Sequence, residues 1–121
     1  MKALIVDETA TLRRIVRNHV VMNGYPEPSQ ADSFPAALQT LRDSPHDLVL
    51  CDWKVGQESG IELLKSIRAD DEIKNVRFIL IMPDVSHELI MEGKKYGINN
   101  YIIKPFNTEQ LQAKIRHVMG W

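Results

Sequence analysis

The sequence predicts an α/β fold, a parallel sheet wound with helices on both faces, and three observations predict it. Short apolar runs rich in branched residues alternate with longer segments of helical period along the whole chain. Four of the runs end on polar clusters: Asp7-Glu8 after Ala3 to Val6, Asp52 after Asp47 to Cys51, Met82-Pro83-Asp84 after Arg77 to Ile81, and Lys104-Pro105 after Tyr101 to Ile103. The 121 residues make one domain, 1-121, long enough for a sheet covered on both sides. Each crossover helix returns the chain to the same end of the sheet, so the strands run parallel with right-handed connections.

Each element has a local reason. Leu12, Ile15, Val16, His19 and Val20 repeat at i, i+3, i+4, i+7 and i+8, which predicts a first helix buried on that face and stopped at Gly24. A weak strand near Ser29 to Ala31 leads into a second helix at Phe34-Pro35, with Ala37, Leu38 and Leu41 inward and Pro45 closing it. Ser59 and Glu62 form a capping-box signature before Ile61, Leu64 and Ile67. Ser86 caps a fourth helix carrying Leu89 and Ile90, which Gly93 weakens by about 1 kcal/mol relative to alanine. Asn107 and Gln110 cap the last helix, which buries Leu111, Ile115 and Val118.

Composition narrows the functional classes. A formal net charge of -1 gives no general attraction to nucleic acid or to an anionic membrane. The single Cys51, inside an apolar strand, reads as a small buried hydrophobe in a reducing compartment. The start of the chain lacks the features of a signal peptide, and no apolar run reaches membrane-spanning length, so the expected location is cytoplasmic.

In a doubly wound sheet the crevice opens outside the strand carboxyl ends, where the winding reverses. Asp7, Glu8, Asp52 and Lys104 are placed to line it. Neighbouring carboxylates repel, and a hard cation such as Mg2+ or Mn2+ is the natural way to hold them together. A cation, a lysine and an exposed carboxylate suit phosphoryl transfer, with Asp52 as nucleophile forming an acyl phosphate. A lone strand-end charge more often caps a helix or makes one ion pair; three carboxylates and a lysine at the exits of one sheet fit that reading poorly.

Asp7-Glu8, Asp52 and Lys104-Pro105-Phe106 together resemble the receiver domain of bacterial two-component response regulators, over the whole chain. The segments Arg13 to Asn18, Asp52-Trp53, Glu62 to Asp70 and Tyr101 to Phe106 are most similar to the small single-domain chemotaxis regulators. The resemblance implies a flavodoxin-like sheet in the order 2-1-3-4-5 with five helices. It implies Asp52 as phosphoacceptor from a histidine kinase or phosphotransfer protein, Lys104 on the phosphoryl oxygens, and a cis peptide before Pro105. It implies Mg2+ on Asp7, Glu8, Asp52 and the Lys54 carbonyl, and a downstream protein target met by the fourth helix, fifth strand and fifth helix.

Three positions depart from the family pattern. Met82 stands where a Thr or Ser hydroxyl is usual, and a thioether cannot donate that hydrogen bond. The hydroxyl is the usual link to the aromatic switch position, here Tyr101. Glu8 replaces the commoner Asp and adds a methylene to a metal ligand that needs near-ideal octahedral geometry. The loop from Lys54 to Gly60 carries an additional glycine, Gly56, and no proline, which predicts a more mobile loop. The resemblance places the side chains of Lys54 and Asp84 where the family tunes access of water to the acyl phosphate.

His19, His46, His87 and His117 share no metal-ligand spacing and read as surface or packing residues. No glycine-rich phosphate loop follows the first strand. Arg13, Arg14 and Arg17 form a basic helix face, either solvated or a docking surface for an acidic partner. Trp53, beside the acceptor, reports on the site. The expected protein is a signalling module, monomeric or weakly dimeric, that catalyses at most its own phosphorylation and dephosphorylation. The competing expectation is a degenerate receiver that binds partners independently of phosphate; a flavin carrier has little motif support.

Overall fold

The computed structural model describes residues 1–121. In chain order the elements are β1 (Ala3–Val6), α1 (Ala10–Met22), β2 (Ser29–Ala31), α2 (Phe34–Asp43), β3 (Leu48–Asp52), β4 (Lys54–Val55), β5 (Glu58–Ser59), α3 (Gly60–Arg68), β6 (Arg77–Met82), α4 (His87–Lys95), β7 (Asn100–Ile103) and α5 (Thr108–Met119). Five strands form one parallel sheet in the order β2-β1-β3-β6-β7. With the short β4–β5 pair set aside, this is the expected flavodoxin-like 2-1-3-4-5 winding.

Alternation along the strands divides the interior into two cores. Leu4, Val6, Val49, Cys51, Phe78, Leu80 and Met82 meet α2 and α3 on one face, with Leu89 and Ile90 of α4 packed against them. Ile5, Leu48, Leu50, Ile79, Ile81 and Ile102 meet Val16 and Val20 of α1 and Leu111 and Ile115 of α5 on the other. Strands this apolar on both sides belong to a sheet covered on both sides. Arg68, at the end of α3, ties the edges together by donating to the carbonyls of Lys74, Val76 and Gly97 and to Asn99 Oδ1.

Several boundaries differ from the sequence expectation. Asp52 is the last residue of β3 rather than the first beyond it, because the ladder with β6 continues to Asp52 opposite Ile81. Asp47 lies outside the strand, where its carboxylate accepts the Lys2 backbone N–H at 2.7 Å. β6 extends through Met82, paired with Ile103, and β7 begins at Asn100. The capping box expected at α3 does not form: Ser59 Oγ accepts the Ile61 N–H at 3.2 Å, while Glu62 pairs with Lys65. The one at α5 does form, between Asn107 and Gln110.

The expected mobile loop after Asp52 is instead folded as a two-stranded hairpin, Lys54–Val55 against Glu58–Ser59. Gly56 supplies φ +64° at the first central position, while Gln57 keeps a negative φ, the signature of a type II′ turn. Val55 is buried against the core and anchors it. Gly93 also has a different meaning from the one expected. A Cβ there would lie 3.1 Å from Ile98, so the glycine lets α4 approach the segment entering β7.

Candidate functional site

Register alone brings the site together. Val6 pairs with Cys51 across β1 and β3, so Asp7 and Asp52 follow side by side where the winding reverses. Met82 pairs with Ile103, and the Lys104 N–H donates to the Met82 carbonyl at 2.9 Å, carrying that alignment one residue further. By alternation, Asp7, Asp52 and Lys104 emerge on the side of α1 and α5, whereas Met82 points into the opposite core.

Lys104 Nζ donates to Asp52 Oδ1 at 2.8 Å. Asp52 is 7% exposed, yet its second oxygen has no hydrogen-bond partner and is not sealed away, since no fully buried side-chain oxygen lacks a partner. Asp7 is arranged alike: Oδ1 accepts the Thr9 N–H at 2.9 Å, and Oδ2 stays open. Both carboxylates, each with one oxygen unpartnered, line a cavity of about 230 Å3. Its remaining wall is largely apolar, including Leu12, Ile15, Val16, Pro105 and Phe106. The Lys104–Pro105 peptide that closes it is cis.

Burial raises the Asp7 pKa above its ordinary 3.8, and the nearby Asp52 charge adds to this, against lowering by the Thr9 hydrogen bond, Lys104 and Arg13. A folded-state value above the unfolded one contributes stability that is complete below pH 3.8 and lost as pH rises through the raised value. Asp7→Asn is therefore expected to raise the melting temperature in metal-free buffer at about pH 7, with the gain shrinking toward about pH 4. Melts of both proteins across that range check it; an equal or larger gain at the acid end would contradict the assignment.

A divalent cation fits these residues because two charged acids with free oxygens share only one lysine. The hairpin leaves one backbone carbonyl free. Val55 and Glu58 flank a two-residue turn, and Gly60 N–H donates to Trp53 O at 2.8 Å. Lys54 therefore falls in a non-hydrogen-bonded pair with Ser59, and its carbonyl is not used by the ladder. Glu8 differs from expectation: it is exposed, and no three acidic side chains converge on one point. The buried Asp7 carboxylate is turned back onto Thr9, and the next residue faces outward as the chain enters α1.

Other site expectations are corrected or sharpened. Lys54 and Asp84 are both exposed and make no ion pair, Lys54 lying on the β4–β5 hairpin and Asp84 on the loop after β6. Met82 is fully buried, with Tyr101 and Ile103 packed against the same core. Tyr101 is half-buried, and Lys114 Nζ lies 4.8 Å from its ring centroid. Leu12 and Ile15 are 38% and 49% exposed rather than buried, because the start of α1 overhangs the crevice beyond the sheet. The basic face of α1 is divided: Arg17 pairs with Glu27, Arg13 turns back to the Asp7 carbonyl, and Arg14 alone stays exposed without a partner.

His19 Nδ1 lies 2.8 Å from Thr108 Oγ1 and ties α1 to α5. Trp53 is 36% exposed beside Asp52. Sequence reasoning overlooked two residues here. Gly60 packs against the Asp52 backbone, and its signal was a glycine opening the helix that follows β3. Arg13 was read only as part of a charged face.

Residues 3–116 match the response regulator receiver domain model. The chain is 40% identical over 115 residues to chemotaxis protein CheY-3 of Vibrio cholerae, covering 95% of this chain and 88% of that one. It is 33% identical over 118 residues to chemotaxis protein CheY of Pseudomonas aeruginosa, covering 98% and 95%. Among solved structures, Vibrio cholerae CheY4 superposes with a TM-score of 0.89 at 27% identity, covering 97% of each chain. No helix is long and apolar enough to cross a membrane. With the crevice, the winding and the sequence in agreement, the chain belongs to the response regulator receiver domain family of two-component systems, CheY-like signalling modules rather than turnover enzymes.

Proposed function

We propose that this single receiver domain takes a phosphoryl group on Asp52 from a histidine kinase or phosphotransfer protein and alters its affinity for a downstream protein target, in chemotaxis signalling in the cytoplasm. One observation carries the reading: Asp52 lines the cavity while largely buried, its Oδ1 is held by Lys104 at 2.8 Å, and its other oxygen is unpartnered and not sealed from solvent. That oxygen attacks phosphorus as the P–N bond to the donor imidazole breaks, and the electron pair leaves on the imidazole nitrogen. Lys104 stays within reach of the phosphoryl oxygens as negative charge accumulates. Asp7, Asp52 and the Lys54 carbonyl would hold Mg2+ or Mn2+, with Glu8 acting through water; the bound cation supplies charge neutralisation. The cis Pro105 peptide shapes the wall beside Lys104, and exposed Lys54 and Asp84 flank the path of water. Partner preference changes at the face of α4, β7 and α5, where Tyr101 lies.

Intact-mass measurement after incubation with acetyl phosphate and Mg2+ tests this. The expected result is a gain of one phosphoryl group, absent in Asp52→Asn; an unmodified parent would sink the proposal. The alternative, a receiver that binds partners independently of phosphate, is favoured by one observation: Met82 is fully buried and brings no hydroxyl to the site. Partner binding equal for the parent and Asp52→Asn under phosphorylating conditions would support it.

A further inference from the structure

We propose that Arg13 is a positioning residue for the cation site, holding Asp7 so that one carboxylate oxygen stays turned into the crevice; this rests on the phosphoacceptor reading above. Asp7 lies one residue past β1, where backbone groups lose their ladder partners on one side. Its N–H still donates to Ala31 O at 3.1 Å. Its carbonyl would be left without a strand partner, and Arg13 Nη1 donates to it at 2.6 Å. The guanidinium is itself fixed, with Nε donating to Gln30 Oε1 at 3.1 Å on β2. Thr9 N–H occupies Asp7 Oδ1 at 2.9 Å.

Asp7 is thus tied at its nitrogen, its carbonyl and one carboxylate oxygen, and only Oδ2 remains for a ligand. Three ties fix the peptide planes on both sides of its Cα, and so the direction in which the side chain leaves. The planar fork of arginine makes this brace in a way lysine cannot, because Nε and Nη1 must reach two acceptors at a set angle. Asp52 needs no such brace, being the last residue of β3 and still paired with Ile81 of β6. Asp7 is the acid held by a loop, so its geometry depends on side chains.

Charge and position make opposite demands, which gives the test its sign. As a mere cation, Arg13 would repel Mg2+, so its removal would tighten binding and lysine would behave like the parent. As a brace, its replacement by either alanine or lysine weakens binding.

Calorimetric titration with MgCl2, without phosphodonor, is made on the parent, Arg13→Ala, Arg13→Lys, Gln30→Ala and Asp7→Asn, each checked for folding by circular dichroism. The expected result is about tenfold weaker Mg2+ binding in both Arg13 variants, the size typical of losing a bond that orients a ligand, and a smaller loss in Gln30→Ala. Acetyl phosphate labelling of Arg13→Lys then needs a correspondingly higher Mg2+ concentration for half-maximal rate than the parent, and an unchanged Mg2+ requirement counts against the brace. Parent-like or tighter binding in Arg13→Lys overturns the proposal while leaving the phosphoacceptor reading intact. If Arg13→Ala does not fold, Arg13→Lys and Gln30→Ala decide it. A parent that binds no Mg2+, or binds it equally as Asp7→Asn, overturns both.

Discussion

Gly60→Ala is expected to destabilise the domain by about 3 kcal/mol, the size of a tight overpacking defect, although alanine is the better helix former. Gly60 opens α3 with no positive φ, so glycine is not needed there for its backbone freedom. On propensity alone the substitution should be neutral or stabilise by up to about 1 kcal/mol. Packing argues the other way. A Cβ at this position would lie 2.6 Å from the Asp52 carbonyl oxygen and 2.9 Å from Leu80 Cδ1. The leucine can rotate, but the carbonyl belongs to β3 and cannot yield without moving the strand. α3 must therefore lift, and it carries Ile61, Leu63, Leu64 and Ile67 out of the core with it. Urea unfolding of the two proteins decides between the effects by sign. A stabilised or unchanged variant would mean that α3 does not rest on the acceptor strand.

Met82→Thr is expected to lower stability by about 2 to 4 kcal/mol while lengthening the life of the acyl phosphate. The loss follows from removing part of a fully buried side chain and placing a hydroxyl among apolar neighbours. The functional gain follows from the family resemblance, in which a hydroxyl at this strand end contacts the phosphoryl group. Met82→Val separates the two, since valine matches threonine in shape and suits a strand but cannot donate a hydrogen bond. Both variants should lose stability. Only threonine should slow loss of the phosphoryl group or enlarge the response at Tyr101. Equal lifetimes for Met82, valine and threonine proteins would show that Met82 does not limit the site.

The parts of this molecule that follow periodic rules could be read from its residues. Ala3 to Val6 and Leu48 to Cys51 are apolar on both faces, which places them in a covered parallel sheet, and parallel winding places Asp7, Asp52 and Lys104 at one end. Boundaries moved by a residue because hydrogen bonds, not hydrophobicity, end a strand: Asp52 is charged and still paired with Ile81. The β4–β5 hairpin escaped notice because two-residue strands show no alternation. The exposure of Leu12 and Ile15 escaped it for another reason. Periodicity tells which residues share a face of α1, but not whether the sheet extends far enough to cover that face. Glu8 and Arg13 depend on where a loop backbone points, which no spacing encodes.

The central place of β3 has a consequence for time as well as space. Its backbone is paired on both sides, with β1 through Cys51 and with β6 through Asp52, and Trp53 N–H adds a bond to Ile81 O at 2.8 Å. Amides paired in this way open last, while loop amides open first. Asp52 therefore sits on the slowest backbone of the molecule, and Asp7, Lys54 and Lys104 sit at or beyond its faster edges. The rim of the crevice can therefore open and re-form on a clock separate from that of Asp52.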